Sequence, residues 1–331
     1  MSDAILAEGL GKTFRVFDRR PGLLGALRDC VDRRWRELHA VDGIDLRIAP
    51  GEVVGYLGPN GAGKSTTIKM LTGIMVPSRG RILVNGLDPQ RQRSQHVRSV
   101  GAVFGQRSQL WWDLAVGESF ELLRRLYGVS QADFDQRLAR FEPVLGLAEI
   151  RATPVRKLSL GQRMKADLAA SLIHAPQVLF LDEPTVGLDV VAKEKLRAFL
   201  RELNRELGTT ILLTTHDLQD IAALCKRVVV IDHGKVVHDG ALAALVAASG
   251  ARKRLRLTLA PGAEADLGRL PSDGCAWTRT SPVEVVGEVD PGSDVPALLQ
   301  RVFAAMAVAD VRIEEPAIES VIAALYQRRP P

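Results

Sequence analysis

The chain has 331 residues, which is long enough for two domains, each with a hydrophobic core of its own. With 46% hydrophobic and 25% charged residues, the composition excludes wholesale disorder. A net charge of only +5 favours an ordinary solvated surface over one dedicated to nucleic acid or anionic lipid. The three cysteines are far apart and odd in number, which indicates a reducing compartment. No uncharged apolar stretch reaches the roughly 18 residues of a transmembrane helix, so any role at a membrane is predicted to be played from the water side.

The first predicted elements are short strands at residues 4–10 and 44–49, and the segment between them, residues 15–40, is unusual. In this segment apolar side chains recur at steps of three and four, with arginines and acids on the opposite helical face. We expect an amphipathic helix that either packs against its own domain or lies at a membrane interface or against a membrane partner. The apolar face comprises Leu23, Leu24, Leu27, Val31, Trp35 and Leu38.

A glycine-rich loop at Gly58–Thr66 follows the apolar run Val53–Leu57 and precedes a helix-forming segment. Its glycine, lysine and serine spacing is that of a P-loop, and the order strand, loop, helix is the context in which that motif binds phosphate. Glycines let backbone N–H groups converge on phosphate oxygens at the positive end of the new helix. Lys64 is predicted to reach the β- and γ-phosphates, and the Ser65 hydroxyl to bind Mg²⁺. The predicted nucleotide contacts of the loop are Gly58, Asn60, Gly61, Gly63, Lys64, Ser65 and Thr66.

Beyond the loop, strand and helix patterns alternate until the texture of the sequence changes near residue 250. The run at 178–181 is continuously apolar, which is typical of a buried strand in a parallel sheet. Further strands are predicted at 80–86, 100–104, 211–213, 228–231 and 235–238, and helices at 117–147, 160–174 and 190–207. The remainder predicts a small α+β region, with strands at 283–289 and 308–314 and helices at 295–306 and 317–327.

Two adjacent acids, Asp182 and Glu183, end the predicted buried strand at 178–181. Acids at the tip of a buried strand are costly without a cation, and an ATP-hydrolysing site needs a carboxylate for Mg²⁺ and a base for the attacking water. We therefore predict that Asp182 binds Mg²⁺ and that Glu183 is the general base. His216 ends a neighbouring strand at the same carboxyl edge, where open α/β sheets bind ligands, so it is predicted to contact the γ-phosphate.

Taken in order, these motifs resemble those of ABC transporter ATPase subunits over roughly residues 4–240. The resemblance implies an α/β fold: a P-loop NTPase core of ABC ATPase type with an antiparallel β subdomain and a helical subdomain at about residues 107–170. It implies ATP and Mg²⁺ as cofactors, an ATPase domain at 1–245 that includes the insert at about 15–40, and a small α+β accessory domain at 246–331. The matching residues are Gly58–Thr66, Gln106, Leu158–Gln162, Asp182-Glu183, Asp189 and His216.

In that family, the Leu-Ser-x-Gly-Gln signature of one subunit closes over the ATP held by the P-loop of a second subunit. The resemblance therefore implies a homodimer in which Ser159, Gly161 and Gln162 contact the nucleotide of the other copy. The third signature residue here is Leu160, where the family usually has glycine, so Ser159 and Gly161 are the safer contacts. Asp189 is implied to bridge the dimer.

Two further roles also follow from the resemblance. Gln106 takes the place of the glutamine that contacts Mg²⁺ or water and faces the transmembrane partner, and Gln109 is a weaker candidate. The aromatic residue that stacks on adenine is implied to be Phe14, in the setting Lys-Thr-Phe, but the insert changes the spacing and keeps Phe17 and Trp35 as alternatives.

Two looser resemblances, in Gly105–Leu114 and Glu314–Val321, point to exporter ATPases that pair with separately encoded membrane proteins. The insert at 15–40 is similar to one in polysaccharide-exporter ATPases, where a helix sits near the membrane. The leading interpretation is an ATP-binding and ATP-hydrolysing exporter subunit, dimeric and peripheral at the cytoplasmic face of the cell membrane. Its partners are expected to be a second copy and integral membrane permease subunits, with no nucleic acid.

Two other classes remain open at this point. A soluble ABC ATPase acting on nucleic acid or ribosomes is the second class, but the chain lacks the long heptad stretches of DNA-repair relatives and the second cassette of translation relatives. An importer ATPase is the third class, and it shares every catalytic motif. Only the exporter-like region around Trp111-Trp112 and the C-terminal run speak against it.

Overall fold

The structure is a computed structural model that describes residues 3–18, 22, 35–105, 108–215, 217–250, 252–260, 266–314 and 321. The chain divides into two units, Met1–Gly240 and Ala241–Pro331. Within the described residues, no helix combines the length and apolar character needed to cross a membrane.

The first unit contains two sheets and most of the helices. Its strands are β1 (Ile5–Phe17), β2 (Trp35–Ile48), β3 (Val53–Leu57), β4 (Arg79–Val84), β5 (Val100–Phe104), β6 (Val178–Asp182), β7 (Thr210–Thr214), β8 (Arg227–Asp232) and β9 (Lys235–Ala241). Its helices are α1 (Lys64–Leu71), α2 (Arg93–Ser99), α3 (Val116–Tyr127), α4 (Gln131–Leu145), α5 (Leu160–Leu172), α6 (Val190–Leu207) and α7 (Leu218–Leu224), with a 3₁₀ turn at Val155–Lys157.

The larger sheet has the strand order β5-β6-β7-β3-β8-β9, and the strands from β5 to β8 are parallel. All four apolar residues at 178–181 in β6 are buried, as expected for a strand covered on both faces. The register pairs Asp182 with Phe104 on one side and with Thr214 on the other. Because parallel strands end at one edge, this pairing brings the tips of β5, β6 and β7 together beside the loop that follows β3.

The smaller sheet is antiparallel, with the order β2-β1-β4. Both strands flanking the insert are longer than predicted, because β1 runs to Phe17 and β2 begins at Trp35. The prediction of a helix was therefore wrong for Trp35 and Leu38, which lie in β2 and pair with Phe17 and Phe14. Steps of three and four suggested a helix locally, but the extended β1 supplies a partner for the backbone hydrogen bonds of these residues. The rest of the predicted helix, with residues 19–21 and 23–34, lies outside the described residues.

A helical part made of α3, α4 and α5 lies in the chain between β5 and β6. Ser130 caps α4 by accepting a hydrogen bond from the N–H of Asp133. Gly128 and Gly146 end α3 and α4 in left-handed conformations, which cost glycine nothing. Two helices of the first unit that the sequence patterns did not predict, α2 and α7, are each only seven residues long.

The second unit is a four-stranded antiparallel sheet with one long helix. The strand order is β11-β12-β10-β13, and a buried cluster joins the sheet to the helix through Leu257, Val285 and Val302. The strand β11 was not predicted, and the predicted helix at 317–327 lies outside the described residues except for Val321. The elements are α8 (Leu242–Ser249), β10 (Lys253–Leu259), a 3₁₀ turn (Leu267–Arg269), β11 (Cys275–Ser281), β12 (Glu284–Val289), α9 (Val295–Ala305) and β13 (Val308–Glu314).

Candidate functional site

The glycine-rich loop after β3 is held between two neighbouring segments, and its glycines are required there by lack of space. A Cβ on Gly58 would lie 2.4 Å from the carbonyl oxygen of Ile231, and one on Gly63 would lie 2.4 Å from that of Ala40. Both glycines have positive φ, at 157° and 107°. The carbonyl oxygen of Ala62 also accepts a hydrogen bond from the N–H of Gly234, at 3.0 Å. The loop conformation is therefore fixed by its surroundings before any ligand arrives.

Lys64 begins α1 directly after Gly63 and is almost completely buried, with 8% of its surface exposed. Its ammonium group donates to the carbonyl oxygens of Gly58 and Pro59, at 2.5 and 3.0 Å. Burial lowers the pKa of Lys64, while the charges of Glu183 and Asp182 raise it. The first N–H groups of α1 lack partners within the helix, so a cation and several backbone donors face the same small region. That combination favours a bound polyphosphate.

The Asp182 carboxylate accepts hydrogen bonds from two hydroxyl groups at the edge of the sheet. The Ser65 hydroxyl donates to Oδ2 of Asp182 at 3.1 Å, and the Thr214 hydroxyl donates to Oδ1 of the same carboxylate. Mg²⁺ in phosphate-transfer sites is held by one or two such protein oxygens, with phosphate and water completing the octahedron. The Ser65–Asp182 pair is the kind of partial site that suits Mg²⁺ with a nucleotide.

Glu183 is the next residue along the chain and has a left-handed backbone conformation, with φ of 55°. Such a conformation is uncommon for a residue other than glycine and is concentrated at functional sites. The N–H of Glu183 donates to the carbonyl oxygen of Thr214 at 2.9 Å, which fixes the turn at the end of β6. Glu183 lines an open cleft of about 240 Å³ together with Ser65, Asp182 and Gly105. The predicted base and the predicted metal ligands thus share one cleft.

Gln106 and His216 lie outside the described residues, but their chain neighbours are placed. The N–H of Gly105 donates to the carbonyl oxygen of Asp182 at 2.9 Å, so the chain approaches position 106 from the cleft. The weaker candidate, Gln109, donates through its side chain to the carbonyl oxygen of Asp167 on α5 at 2.8 Å. Gln109 is therefore used to attach this segment to the helical part.

The predicted signature begins α5. Ser159 caps the helix by accepting from the N–H of Gln162 at 3.2 Å, and the Gln162 side chain accepts from the N–H of Ser159 at 3.0 Å. Gly161 is required by space, because a Cβ there would lie 2.7 Å from the carbonyl oxygen of Gly187. Leu160 packs against Gly187, where an added Cβ would lie 2.8 Å from its Cγ. The described residues that line the cleft at Ser65 and Asp182 include none of the signature.

Asp189 lies at the start of α6 and accepts a hydrogen bond from the N–H of Ala192 at 2.7 Å. Within one chain it is therefore a helix cap. The loop before it, at 186–189, is the loop on which Leu160 packs. The signature and the Asp189 loop consequently form one continuous part of the surface.

Phe14, the predicted adenine contact, is half-buried on β1 opposite Leu38. Leu38 on β2 is two residues before Ala40, and the carbonyl oxygen of Ala40 lies next to Gly63 of the phosphate loop. Phe14 is therefore near the phosphate loop. The Lys12 ammonium lies 5.4 Å from the centre of the Phe14 ring. The two alternatives, Phe17 and Trp35, pack against each other with ring centres 5.8 Å apart.

Sequence patterns missed two polar residues at the site. Thr214 contacts the Asp182 carboxylate directly, and Asp220 is fully buried among hydroxyl and guanidinium donors near the loop that contains His216. The adjacent pair Thr214-Thr215 at the end of an apolar strand was the available signal for the first. No sequence pattern marked Asp220, because an acidic residue in a short helix is ordinarily predicted to be exposed on the surface.

A parallel sheet that carries a P-loop, a serine–aspartate pair and an adjacent glutamate at one edge, with a separate helical part between β5 and β6, defines a nucleotide-binding ATPase cassette. Residues 41–186 match the model of the ABC transporter family. This chain belongs to the ATP-binding subunits of ABC transporters, as the sequence resemblance implied, and it is an ATPase.

Relatives and solved structures agree with this assignment. The chain is 40% identical to the daunorubicin resistance ATP-binding protein DrrA3 of Streptomyces coeruleorubidus, over 67% of this chain and 70% of the relative. It is 39% identical to the Nod factor export ATP-binding protein I of Paraburkholderia xenovorans, over 66% of this chain and 71% of the relative. The dimeric structure of the bacterial ABC transporter cassette MJ0796 is similar, with a TM-score of 0.60 and 25% identity, covering 72% of this chain and 98% of that one. The predicted fold class and transporter function are thereby confirmed, whereas the roles of individual residues stay predictions.

Proposed function

We propose that the cleft at Ser65, Asp182 and Glu183 hydrolyses MgATP to drive the export of a substrate by separate transmembrane subunits. The observation that carries this proposal is the convergence of a buried lysine, a hydroxyl–carboxylate pair and a further carboxylate on one edge of the sheet. In this proposal the phosphate loop and Lys64 bind the β- and γ-phosphates.

Ser65 and Asp182 would hold Mg²⁺, which supplies charge neutralisation for the phosphates. Glu183 accepts a proton from the attacking water. The water oxygen bonds to the γ-phosphorus, and the bond between the γ-phosphorus and the β–γ bridging oxygen breaks, so that ADP leaves. His216 contacts the γ-phosphate, and Gln106, the residue after Gly105 of the cleft, contacts Mg²⁺ or water. Phe14, beside the loop on β1, stacks on adenine.

A second copy completes the site in this proposal. The exposed start of α5, with Ser159, Gly161 and Gln162, would close over the γ-phosphate bound by the other subunit, with Asp189 at the same interface. Two observations support this: the cleft lining includes no described signature residue, and a similar cassette is recorded as dimeric. Closing and opening of the dimer would then move transmembrane permease subunits, which places the protein at the inner face of the cell membrane.

Export is favoured over import by the relatives, one of which is named as a Nod factor export protein and another as a daunorubicin resistance protein. Action on nucleic acid is not favoured by the relatives or by the modest net charge.

Replacing the proposed base tests the proposal. Glu183→Gln keeps size and polarity but cannot accept a proton, so we expect ATP binding within about twofold of the original, turnover at least about 100-fold lower and an ATP-dependent dimer by size-exclusion chromatography. Glu149→Gln, an exposed acid in the turn after α4, is the control and should hydrolyse ATP normally. Turnover of Glu183→Gln at the original rate would remove Glu183 from the mechanism.

A further inference from the structure

A fully buried carboxylate, that of Asp220 on α7, has no role in the hydrolysis proposed above. It accepts three hydrogen bonds: from the Thr185 hydroxyl at 2.7 Å, from the Thr215 hydroxyl at 3.0 Å and from Nε of Arg197 at 2.7 Å. A buried carboxylate is costly without hydrogen-bond donors, and here the donors are brought from elsewhere in the fold.

The donors come from segments that lead to the two proposed catalytic side chains of this edge. Thr185 is two residues after Glu183, and Thr215 immediately precedes His216. The Thr215 hydroxyl also accepts from the N–H of Asp217 at 2.9 Å, so the residues on both sides of position 216 are held. One carboxylate therefore connects the turn that contains the proposed base to the loop that contains the proposed γ-phosphate contact.

Arg197 on α6 is also buried, with only 6% of its surface exposed. Its guanidinium lies 3.6 Å from the Asp217 carboxylate. Asp217 in turn accepts from the Lys193 ammonium at 2.7 Å. Buried ion pairs contribute little to stability compared with apolar packing, because desolvation offsets the attraction. Keeping one here is therefore better explained by the conformation that it specifies than by the stability that it adds.

We propose that Asp220, with Arg197 as its counter-ion, is a positioning residue for hydrolysis: it holds Thr215 and, through Arg197, Asp217, the two neighbours of residue 216, against Thr185 in the turn that follows Glu183. The proposal rests on the proposed function, since it assumes that Glu183 and His216 act on the γ-phosphate. Asp220 touches neither nucleotide nor water in this scheme, so its replacement is expected to slow turnover and to leave ATP binding unchanged.

Matched threonine variants give the sharpest test, because valine has the shape of threonine without its hydroxyl. We expect Thr215→Val and Thr185→Val each to lower kcat about 10-fold, and Thr215→Ser and Thr185→Ser, which retain the hydroxyl, to remain near the original rate. Asp220→Asn, which removes the negative charge that binds Nε of Arg197, is expected to lower kcat by as much as about 100-fold. Dissociation constants for ATP, from fluorescence titration, should change less than about twofold in all of these variants.

Asp239→Asn is the control for losing an aspartate–arginine ion pair elsewhere in the chain, here a partly exposed one. Asp239 binds the Arg227 guanidinium at 2.7 and 2.8 Å across β8 and β9, away from the threonines. It should retain the original kcat even if its unfolding midpoint falls. The valine variants keep the test available if Asp220→Asn fails to fold.

Three outcomes overturn the proposal: valine variants with the original kcat, serine variants as slow as the valine variants, or losses of kcat that only follow the folded fraction measured by circular dichroism. None of these outcomes affects the proposed function, which depends on Glu183→Gln being inactive. An active Glu183→Gln would instead overturn the proposed function, whatever the threonine variants show.

Discussion

The cleft at the end of β6 and the start of α5 are both assigned to ATP, but they are built in different ways. In the cleft, Lys64, Ser65, Asp182 and Glu183 bring a cation, a hydroxyl and two carboxylates to one edge of the sheet. At the start of α5, Ser159 and Gln162 satisfy each other in a capping box and no acid or base is added. The first region has the means to bind and cleave a phosphate, whereas the second offers only hydrogen-bond donors and a helix terminus. This difference fits the proposal that the signature region serves a second copy rather than its own chain.

Ser159→Arg changes only the start of α5 and leaves the cleft intact, and it is expected to lower turnover more than the other variants below. A bulky cation at the start of α5 blocks the approach of a second subunit, so turnover should fall at least about 100-fold while ATP binding to the P-loop is retained. Lys157→Arg, two residues earlier and exposed, is the control. Binding and turnover are measured separately by nucleotide titration and phosphate release, and a loss of binding would mean that the signature contacts the nucleotide of its own chain.

Thr214→Val tests the cleft side and should have an intermediate effect. The substitution keeps the shape of the side chain but removes the hydroxyl that donates to Asp182, so the carboxylate is held by Ser65 alone among the described side-chain donors. We expect turnover to fall about 10-fold and the Mg²⁺ concentration for half-maximal activity to rise, with Thr214→Ser close to the original. Equal Mg²⁺ requirements in both variants would separate Thr214 from the metal site.

Asp167→Asn tests how the signature helix is held, and its effect is on stability. Burial raises the pKa of Asp167 to about 6, although the N–H of Gln109 and the Ser108 hydroxyl donate to its Oδ1 and lower it. The folded chain thus holds this proton more tightly than the unfolded chain, whose value is 3.8. The resulting stabilisation is present below about pH 4 and is lost as the pH rises through about 6, a change of about 3 kcal/mol.

In Asp167→Asn the amide oxygen can accept both of these hydrogen bonds, and the group no longer titrates. We therefore expect the unfolding midpoint of the variant to depend less on pH between about 4 and 7 than that of the original protein, and to be equal or higher at pH 7. The measurement is thermal unfolding followed by circular dichroism at several pH values. Parallel pH profiles for the two proteins would show that Asp167 does not titrate in this range.

Much of the catalytic edge follows from the sequence, because the motifs there are short and local. The P-loop needs glycines at fixed spacing, and an acid pair after a continuous apolar run predicts a strand end, so Gly58–Thr66 and Asp182-Glu183 could be placed without coordinates. The order of strands and helices also follows, since apolar runs and helical periodicity are properties of neighbouring residues. The family could be recognised for the same reason.

Tertiary structure decided what depends on distant pairing. Trp35 and Leu38 are strand residues because β1 extends alongside them, a partner that no local periodicity reveals. Leu160, unusual in the signature, packs on Gly187, where the missing Cβ leaves room for the leucine side chain. The fold also gathers Thr185, Thr215 and Arg197, which are separate in the sequence, around the Asp220 carboxylate. The sequence thus determined which chemistry the chain carries, and the fold decided which polar groups hold that chemistry in place, because burial and hydrogen bonding between distant segments are not encoded in local pattern.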